Sequence, residues 1–237
     1  MLSLISTPIG NLDDISLRAI DVIKSADFIY TEDTRSFKKI LDSIECKKKC
    51  KSFHEHNEDI ICKEIIKHLK NKKYVVLTCE AGTPAISDPG YKLIRECLNL
   101  NLKYTLIPGP SSLINAVVLS GLPTDKFSFY GFIPKKNNAQ KKLFQKVSND
   151  EKTAIMFESV KRLRKTIISI SKHLDNNRYI SVCREMTKIH EQIIQGNCED
   201  LLKKIDDGSL PLKGEIVLVI EGNSTNNTNV KLDNKVK

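Results

Sequence analysis

Tryptophan is absent from this chain, methionine occurs three times, and arginine supplies only seven of the 38 cationic side chains. With so few aromatics, 6% of residues, a base-stacking platform of the RNA-recognition type is not expected. Seven cysteines form no CxxC pair, and an odd count of this kind suits reduced thiols in a cytoplasmic protein. No apolar run approaches the roughly 18 residues of a membrane span. The opening "MLSLISTPIG" has no basic stretch ahead of its apolar run, so no secretory signal is expected. There is no GxxxxGK[ST], and no GxGxxG follows the first strand-like run, which argues against the common phosphate-cradling loops. Internal repeats and heptads are also missing.

What is present is a chain of 237 residues with 40% hydrophobic and 28% charged residues, enough for one large or two small globular domains. The net charge of +9 attracts polyanions, RNA among them. The strong preference for lysine over arginine is equally compatible with a compositional bias of the genome.

Strand-like runs occur at 2–6, 28–31, 50–53, 74–79 and 103–107, each followed by a loop and a helical pattern. In the second helix Phe37, Ile40, Leu41 and Ile44 make one apolar face, and in the fourth Leu93, Ile94, Cys97 and Leu98 do so. Repeated β-loop-α units predict a mostly parallel sheet flanked by helices. "GLPTD" near 121–125 breaks this pattern. Strand-like "FSFYGFI", helical spacing from Val160 to Leu174, and strands "YISVC" and "EIVLVIEG" then predict a second α/β domain. The expected organisation is residues 1–122, residues 123–222, and a polar, disordered tail over 223–237.

The loops that follow the five strands hold the glycine, proline, serine, histidine and carboxylates: "TPIGN", "EDTR", "HEHNE", "EAGTPAISDPG" and "PGPSS". The loops that follow the helices are mostly lysine and asparagine. Open α/β sheets bind ligands beyond the carboxyl ends of their strands, so all five chemistry-bearing loops are predicted to share one edge. Glu80 and Asp88 would repel phosphate. A cationic nucleoside suits them better, and S-adenosylmethionine combines a ribose diol with a sulfonium. Gly82 and Gly109 would allow close backbone approach to it, with Pro8, Pro84 and Pro110 stiffening the turns. The bland reading is that these are tight turns and nothing more.

Taken in order, "STPIGNLDDIS", "EDTR", "HEHNE", "EAGTPAISDPGY", "IPGPSS", "SGLPTDKFSFYGFIPKK", "CREMTKIHEQIIQG" and "LKGEIVLVIEG" resemble the tetrapyrrole methylase superfamily. Within it they are similar to the group that methylates ribosomal small-subunit RNA. The resemblance runs from about residue 3 to 222. It implies two α/β domains with S-adenosylmethionine in the cleft between them, and a homodimer. It also implies 2′-O-methylation of a cytidine ribose in the decoding region of 16S rRNA, on the rRNA or the small ribosomal subunit. The group usually has aspartate at Glu80 and alanine at Ser6, and many relatives continue further past "VIEG".

By this match Pro8, Ile9, Gly82, Thr83 and Ile86 should line the cofactor, and Ser111 and Ser112 should hydrogen-bond it, although both serines could equally cap a helix. Glu158 should reach the cofactor from the second domain, or else be a surface carboxylate after a strand. The candidate catalytic residues are His54, Glu55 and His56. Strand alternation would point the histidines to one side and Glu55 to the other, and an imidazole titrates in the right range for a base. The alternative is that they grip RNA or cap the helix near Glu58. Arg184, Glu185 and Lys188 are candidates for phosphate or ribose contact. The lysine runs at 134–142, 161–165 and 47–51 are candidates for phosphate contact. Cys46, Cys50, His54 and His56 are too loosely spaced for a structural zinc site, so no metal is expected. The competing functions are a tetrapyrrole or corrin methyltransferase and a non-enzymatic ribosome- or nucleotide-binding module.

Overall fold

A computed structural model describes residues 1–223; the predicted tail, from residue 224 onward, lies outside the described residues. The chain divides into two compact units, Met1–Ser112 and a second that opens at Leu113. This division lies ahead of the proline turn at Pro123, where the sequence pattern breaks. The reason is local: the helix over Ser112–Leu119 is tied to later strands, with Cys183 Sγ donating to Ala116 O at 3.5 Å and Gln195 Nε2 to Ser120 O at 2.6 Å.

The first unit alternates strands and helices without exception. Strands β1 (Leu2–Ile5), β2 (Phe28–Thr31), β3 (Cys50–Ser52), β4 (Val75–Thr78) and β5 (Tyr104–Ile107) alternate with helices α1 (Leu17–Ser25), α2 (Thr34–Ser43), α3 (Glu58–Lys70) and α4 (Tyr91–Asn99). The sheet order is β3-β2-β4-β1-β5, with every neighbour parallel. The central β1 and β4 are buried along their whole length, as parallel strands covered on both faces must be. One face packs Ile5, Ile29, Val76 and Ile107 against α1 and α2 through Ile23, Phe37, Ile40 and Leu41. The other packs Leu2, Leu4, Tyr30, Val75 and Leu77 against α3 and α4 through Ile61, Ile65, Leu69, Leu93 and Cys97. Leu98 departs from its predicted place: it is 47% exposed. It follows Cys97 by roughly 100° of helical rotation, which carries it off the buried face.

The second unit takes up α5 (Ser112–Leu119) from its second residue and contains β6 (Phe127–Phe132), α6 (Asn137–Asn149), β7 (Thr153–Ser159), α7 (Leu163–Ile170), β8 (Ile180–Arg184), β9 (Gln192–Gly196), α8 (Cys198–Asp206) and β10 (Glu215–Ile220). Its sheet order is β6-β7-β10-β8-β9; β6 and β7 are parallel and the remaining neighbours antiparallel. Phe144, Met156, Leu163, Ile167, Val182, Leu201 and Leu218 form its core.

Candidate functional site

Because the first sheet is wholly parallel, the loops after all five strands emerge at one edge. Backbone and side-chain bonds join them there. The loops after β1 and β4 exchange two backbone bonds, Thr7 N to Gly82 O at 2.9 Å and Gly82 N to Thr7 O at 3.0 Å. Thr83 Oγ1 donates to Pro110 O at 3.3 Å, which leaves Ser6 Oγ, 3.1 Å away, to donate to Thr83. The turns after β1, β4 and β5 are thereby stitched together. Glu58, at the start of α3, accepts from Gly90 N at 3.0 Å and fixes the far end of the long loop after β4. Ser36 on α2 donates to Glu80 at 3.4 Å and brings in the loop after β2.

That long loop is held in an unusual backbone conformation. Gly82, Ala85, Ser87 and Gly90 all have positive φ, at 80°, 66°, 64° and 131°. Two of these are not glycine, and left-handed conformations are costly for side-chain-bearing residues unless the surroundings impose them. Gly109 serves the packing of the turns themselves. A Cβ there would sit 3.1 Å from Ser6 Cβ and 3.2 Å from Ser6 O, so its missing side chain lets two protein turns meet.

The rim is acidic. Burial raises the pKa of Glu32, at the end of β2, and the charges of Glu80 and Glu55 raise it further against the Glu80 backbone N–H and His54, which lower it. Burial and then the charge of Glu32 push Asp88 to about 6, opposed by a Cys79 hydrogen bond, with a further upward contribution from Glu80. Four loop carboxylates therefore share one field that a cation would relieve. An acid with a raised folded-state pKa stabilises the fold most when protonated. For Asp88 that contribution is complete below its ordinary value of 3.8 and is lost as pH rises through about 6. The permanently neutral Asp88→Asn variant is therefore expected to gain on the parent as pH rises. Thermal melts at about pH 4 and about pH 8 should show the difference widening by a few degrees; a difference independent of pH would contradict the raised pKa.

Most residues expected to hold a cofactor lie on this rim. Pro8, Ile9 and Gly82 are buried, Thr83 is half-buried in the bonds described, and Ile86 is 40% exposed. Ser111 and Ser112 stand half-buried where α5 begins. Glu158 requires a correction. It is at the end of β7 in the second unit, its side chain is 1% exposed, and its carboxylate accepts from Thr166 Oγ1 at 2.6 Å and Ser159 N at 2.7 Å while pairing with Arg162 at 3.2 Å. It is not a surface group, and its carboxylate oxygens are already engaged by protein partners. It closes a buried polar cluster that sequence spacing could not reveal.

The candidate catalytic residues do not continue β3 as an alternating strand. The strand ends at Ser52, and 54–57 forms a turn in which Asn57 Oδ1 accepts from His54 N at 2.9 Å and Asn57 Nδ2 donates to Ser52 O at 3.1 Å. His54 and His56 still come together, with ring centroids 5.8 Å apart and edge to face. Glu55 and His56 are exposed, whereas His54 is half-buried with its Nδ1 buried and unpartnered among the described residues. The motif thus divides its labour: Asn57 and Glu58 build the turn and His54, Glu55 and His56 are presented by it. Sequence reasoning overlooked Glu32 and Glu58 as parts of the site. The available signal was an acid immediately after a strand and an acid closing "HEHNE". No group of three or more His, Cys, Asp or Glu side chains is placed to hold a metal ion among the described residues.

The rim suits S-adenosylmethionine on its own chemistry. It offers carboxylates to a net-positive nucleoside, and Thr7 Oγ1, wholly buried beside the Gly82 bridge, lacks a protein partner among the described residues. Similarity to known proteins agrees. A protein of Rickettsia prowazekii (strain Madrid E) named ribosomal RNA small subunit methyltransferase I is 42% identical over 222 residues, 94% of this chain and 78% of that protein. A protein of the same name from Hydrogenobaculum sp. (strain Y04AAS1) is 40% identical, covering 94% of this chain and 96% of its own. Among solved structures, diphthine synthase superposes with a TM-score of 0.70 at 14% identity, covering 93% of this chain and 90% of its own. Uroporphyrin-III-C-methyltransferase from Thermus thermophilus does so with a TM-score of 0.63 at 13% identity, covering 93% of each. These two establish the fold alone. The family model for tetrapyrrole (corrin/porphyrin) methylases matches residues 1–202, and this chain belongs to that family, whose cofactor is S-adenosylmethionine.

Proposed function

We propose that this protein methylates ribosomal RNA of the small subunit, at the 2′-hydroxyl of a cytidine ribose in the decoding region of 16S rRNA. In this reading it acts in the cytoplasm, as a homodimer, on the rRNA or the small ribosomal subunit. The observation that carries the proposal is the single acidic rim of five joined loops, in a chain whose relatives bear the name of a small-subunit rRNA methyltransferase. The net charge of +9 favours a polyanionic substrate over a small tetrapyrrole.

Bound S-adenosylmethionine supplies an electrophilic methyl group on a sulfonium. Pro8, Ile9, Gly82, Thr83, Ile86, Ser111 and Ser112 would hold it, and the carboxylates of Glu32, Glu80 and Asp88 would complement its charge. The ribose hydroxyl must give up its proton as its oxygen takes the methyl. His54, Glu55 and His56 are the proposed acceptors, with His54 favoured because its buried ring nitrogen has no partner among the described residues. Lys135, Lys136, Lys141 and Lys142 are exposed and free to meet phosphates. The other runs contribute less: Lys51 pairs with Glu64 at 2.5 Å, Lys48 bonds Ala26 O, and Arg164 pairs with Asp206 at 3.2 Å.

The test is transfer of labelled methyl from S-adenosylmethionine to small subunits isolated from cells lacking the gene, followed by mass mapping of rRNA 2′-O-methyl groups. One restored group on a decoding-region cytidine is the expected outcome. Cofactor binding with no label on RNA, or label on a tetrapyrrole instead, would overturn the proposal.

A further inference from the structure

The histidine turn and the long loop after β4 carry different halves of the proposed chemistry, and one buried side chain joins them. Glu58, the first residue of α3, is 8% exposed. Its Oε1 accepts from Gly90 N at 3.0 Å, and its other carboxylate oxygen lies 3.5 Å from Lys92 Nζ. Lys92 in turn pairs with Asp59 at 2.8 Å. On the other side Glu58 follows Asn57, which clasps His54 twice: Asn57 Oδ1 accepts from His54 N at 2.9 Å, and Asn57 N donates to His54 O at 3.0 Å. A short run of bonds therefore leads from His54 through Asn57 and Glu58 to Gly90.

Beyond Gly90 the link continues by packing. A Cβ at Gly90 would sit 3.4 Å from Leu77 Cδ2 and 3.6 Å from Ala85 Cβ, so the end of the loop lies against Ala85. Ala85 and Ser87, both at positive φ, flank Ile86, one of the residues proposed to hold the cofactor. A backbone of this kind keeps its shape only if its surroundings hold it. Helices α3 and α4 already share an apolar cluster of Ile61, Ile65, Leu69, Leu93 and Cys97. Burying a carboxylate beside that cluster costs free energy. The positive end of α4, whose N-cap is Gly90, offsets the cost. Glu58 thus adds a fixed distance between two loops, which apolar packing alone does not specify.

We propose that Glu58 is a positioning residue that couples these loops, so that S-adenosylmethionine seated on the loop after β4 sets the placement of His54. The inference rests on the rRNA reading given above, in which His54 is the favoured acceptor of the ribose proton. Coupling is reciprocal: a change that releases Gly90 from Glu58 weakens cofactor binding and misplaces the histidine together. A misplacement of about 1 Å near the reacting atoms is enough to cost roughly a hundredfold in rate.

Two substitutions separate the bond from the charge. Glu58→Gln keeps an oxygen for Gly90 N and loses the charge, whereas Glu58→Asp keeps the charge and loses the reach. Each is compared with the parent for S-adenosylmethionine affinity by calorimetry, for kcat and KM in methyl transfer to small subunits, and for melting temperature. The His54 imidazole NMR resonances, assigned by their absence from a His54→Gln spectrum, are followed with and without cofactor. In the parent they are expected to move when cofactor is added. Glu58→Gln should keep that response, with cofactor affinity within about threefold of the parent. Glu58→Asp should lose it, bind cofactor about tenfold more weakly, and turn over about tenfold more slowly at saturating cofactor with KM for subunits unchanged. A His54 response in Glu58→Asp equal to the parent's overturns the coupling, whatever the melting temperature. So does loss of the response in Glu58→Gln, which keeps the bond, or a parent whose His54 ignores the cofactor. If the parent transfers no methyl to RNA, the functional reading fails, and the His54 response still decides the coupling.

Discussion

Replacing Glu158 with alanine is expected to lower the unfolding free energy by about 3 kcal/mol, the usual scale for removing one partner of a buried ion pair. The side chain is 1% exposed and joins three elements: its own strand end through Ser159 N, α7 through Thr166, and Arg162. Arg162 in turn donates to Ile133 O at 3.1 Å and Pro134 O at 2.9 Å, where β6 ends. Without the carboxylate, the guanidinium loses its counter-charge and the Thr166 hydroxyl its acceptor. Glu158→Gln keeps an oxygen for Thr166 or Ser159 and should lose less. Urea unfolding checks both, and calorimetry on the folded Gln variant separates structure from ligand binding. Cofactor affinity equal to the parent's is the expected result, and a tenfold drop would return Glu158 to the cofactor site.

Gly82→Val is expected to weaken S-adenosylmethionine binding at least tenfold while lowering stability by roughly 1–3 kcal/mol, the range for forcing a side-chain-bearing residue into a left-handed conformation. At φ 80° the turn cannot relax cheaply, because Gly82 N and O are both bonded to Thr7. A single Cβ fits: it would lie 3.5 Å from Ile9 Cγ2 and 3.9 Å from Pro110 O. Gly82→Ala should therefore show the backbone strain with little crowding, and valine both. Titration calorimetry with the cofactor reads the effect. Unchanged affinity in the valine variant would remove this turn from the binding site.

The parallel sheet was legible from residue order because its signal is local and repeated. Apolar faces such as Phe37, Ile40, Leu41 and Ile44 need only the helical period to be seen, and each proved buried. The gathering of loops at one edge followed from the same alternation, since strands of one direction end on one side. The second unit was harder. Its mostly antiparallel sheet joins strands distant in sequence, such as β7 with β10, and nothing in the spacing of "EQIIQG" announced β9. Side-chain roles were hardest of all. Arg184, Glu185 and Glu158 look like ligand-facing charges in the sequence, and each is engaged by partners between 1 and 30 residues away.

The amino-acid order alone determined the class of this protein, the edge where its chemistry lies and the kind of molecule that edge would take, since periodicity, glycine placement and loop composition are properties of short segments. Only the tertiary structure decided which charged groups remain free to act. A carboxylate or guanidinium becomes a buttress or a reactive group according to what folds against it, and those neighbours come from distant parts of the chain.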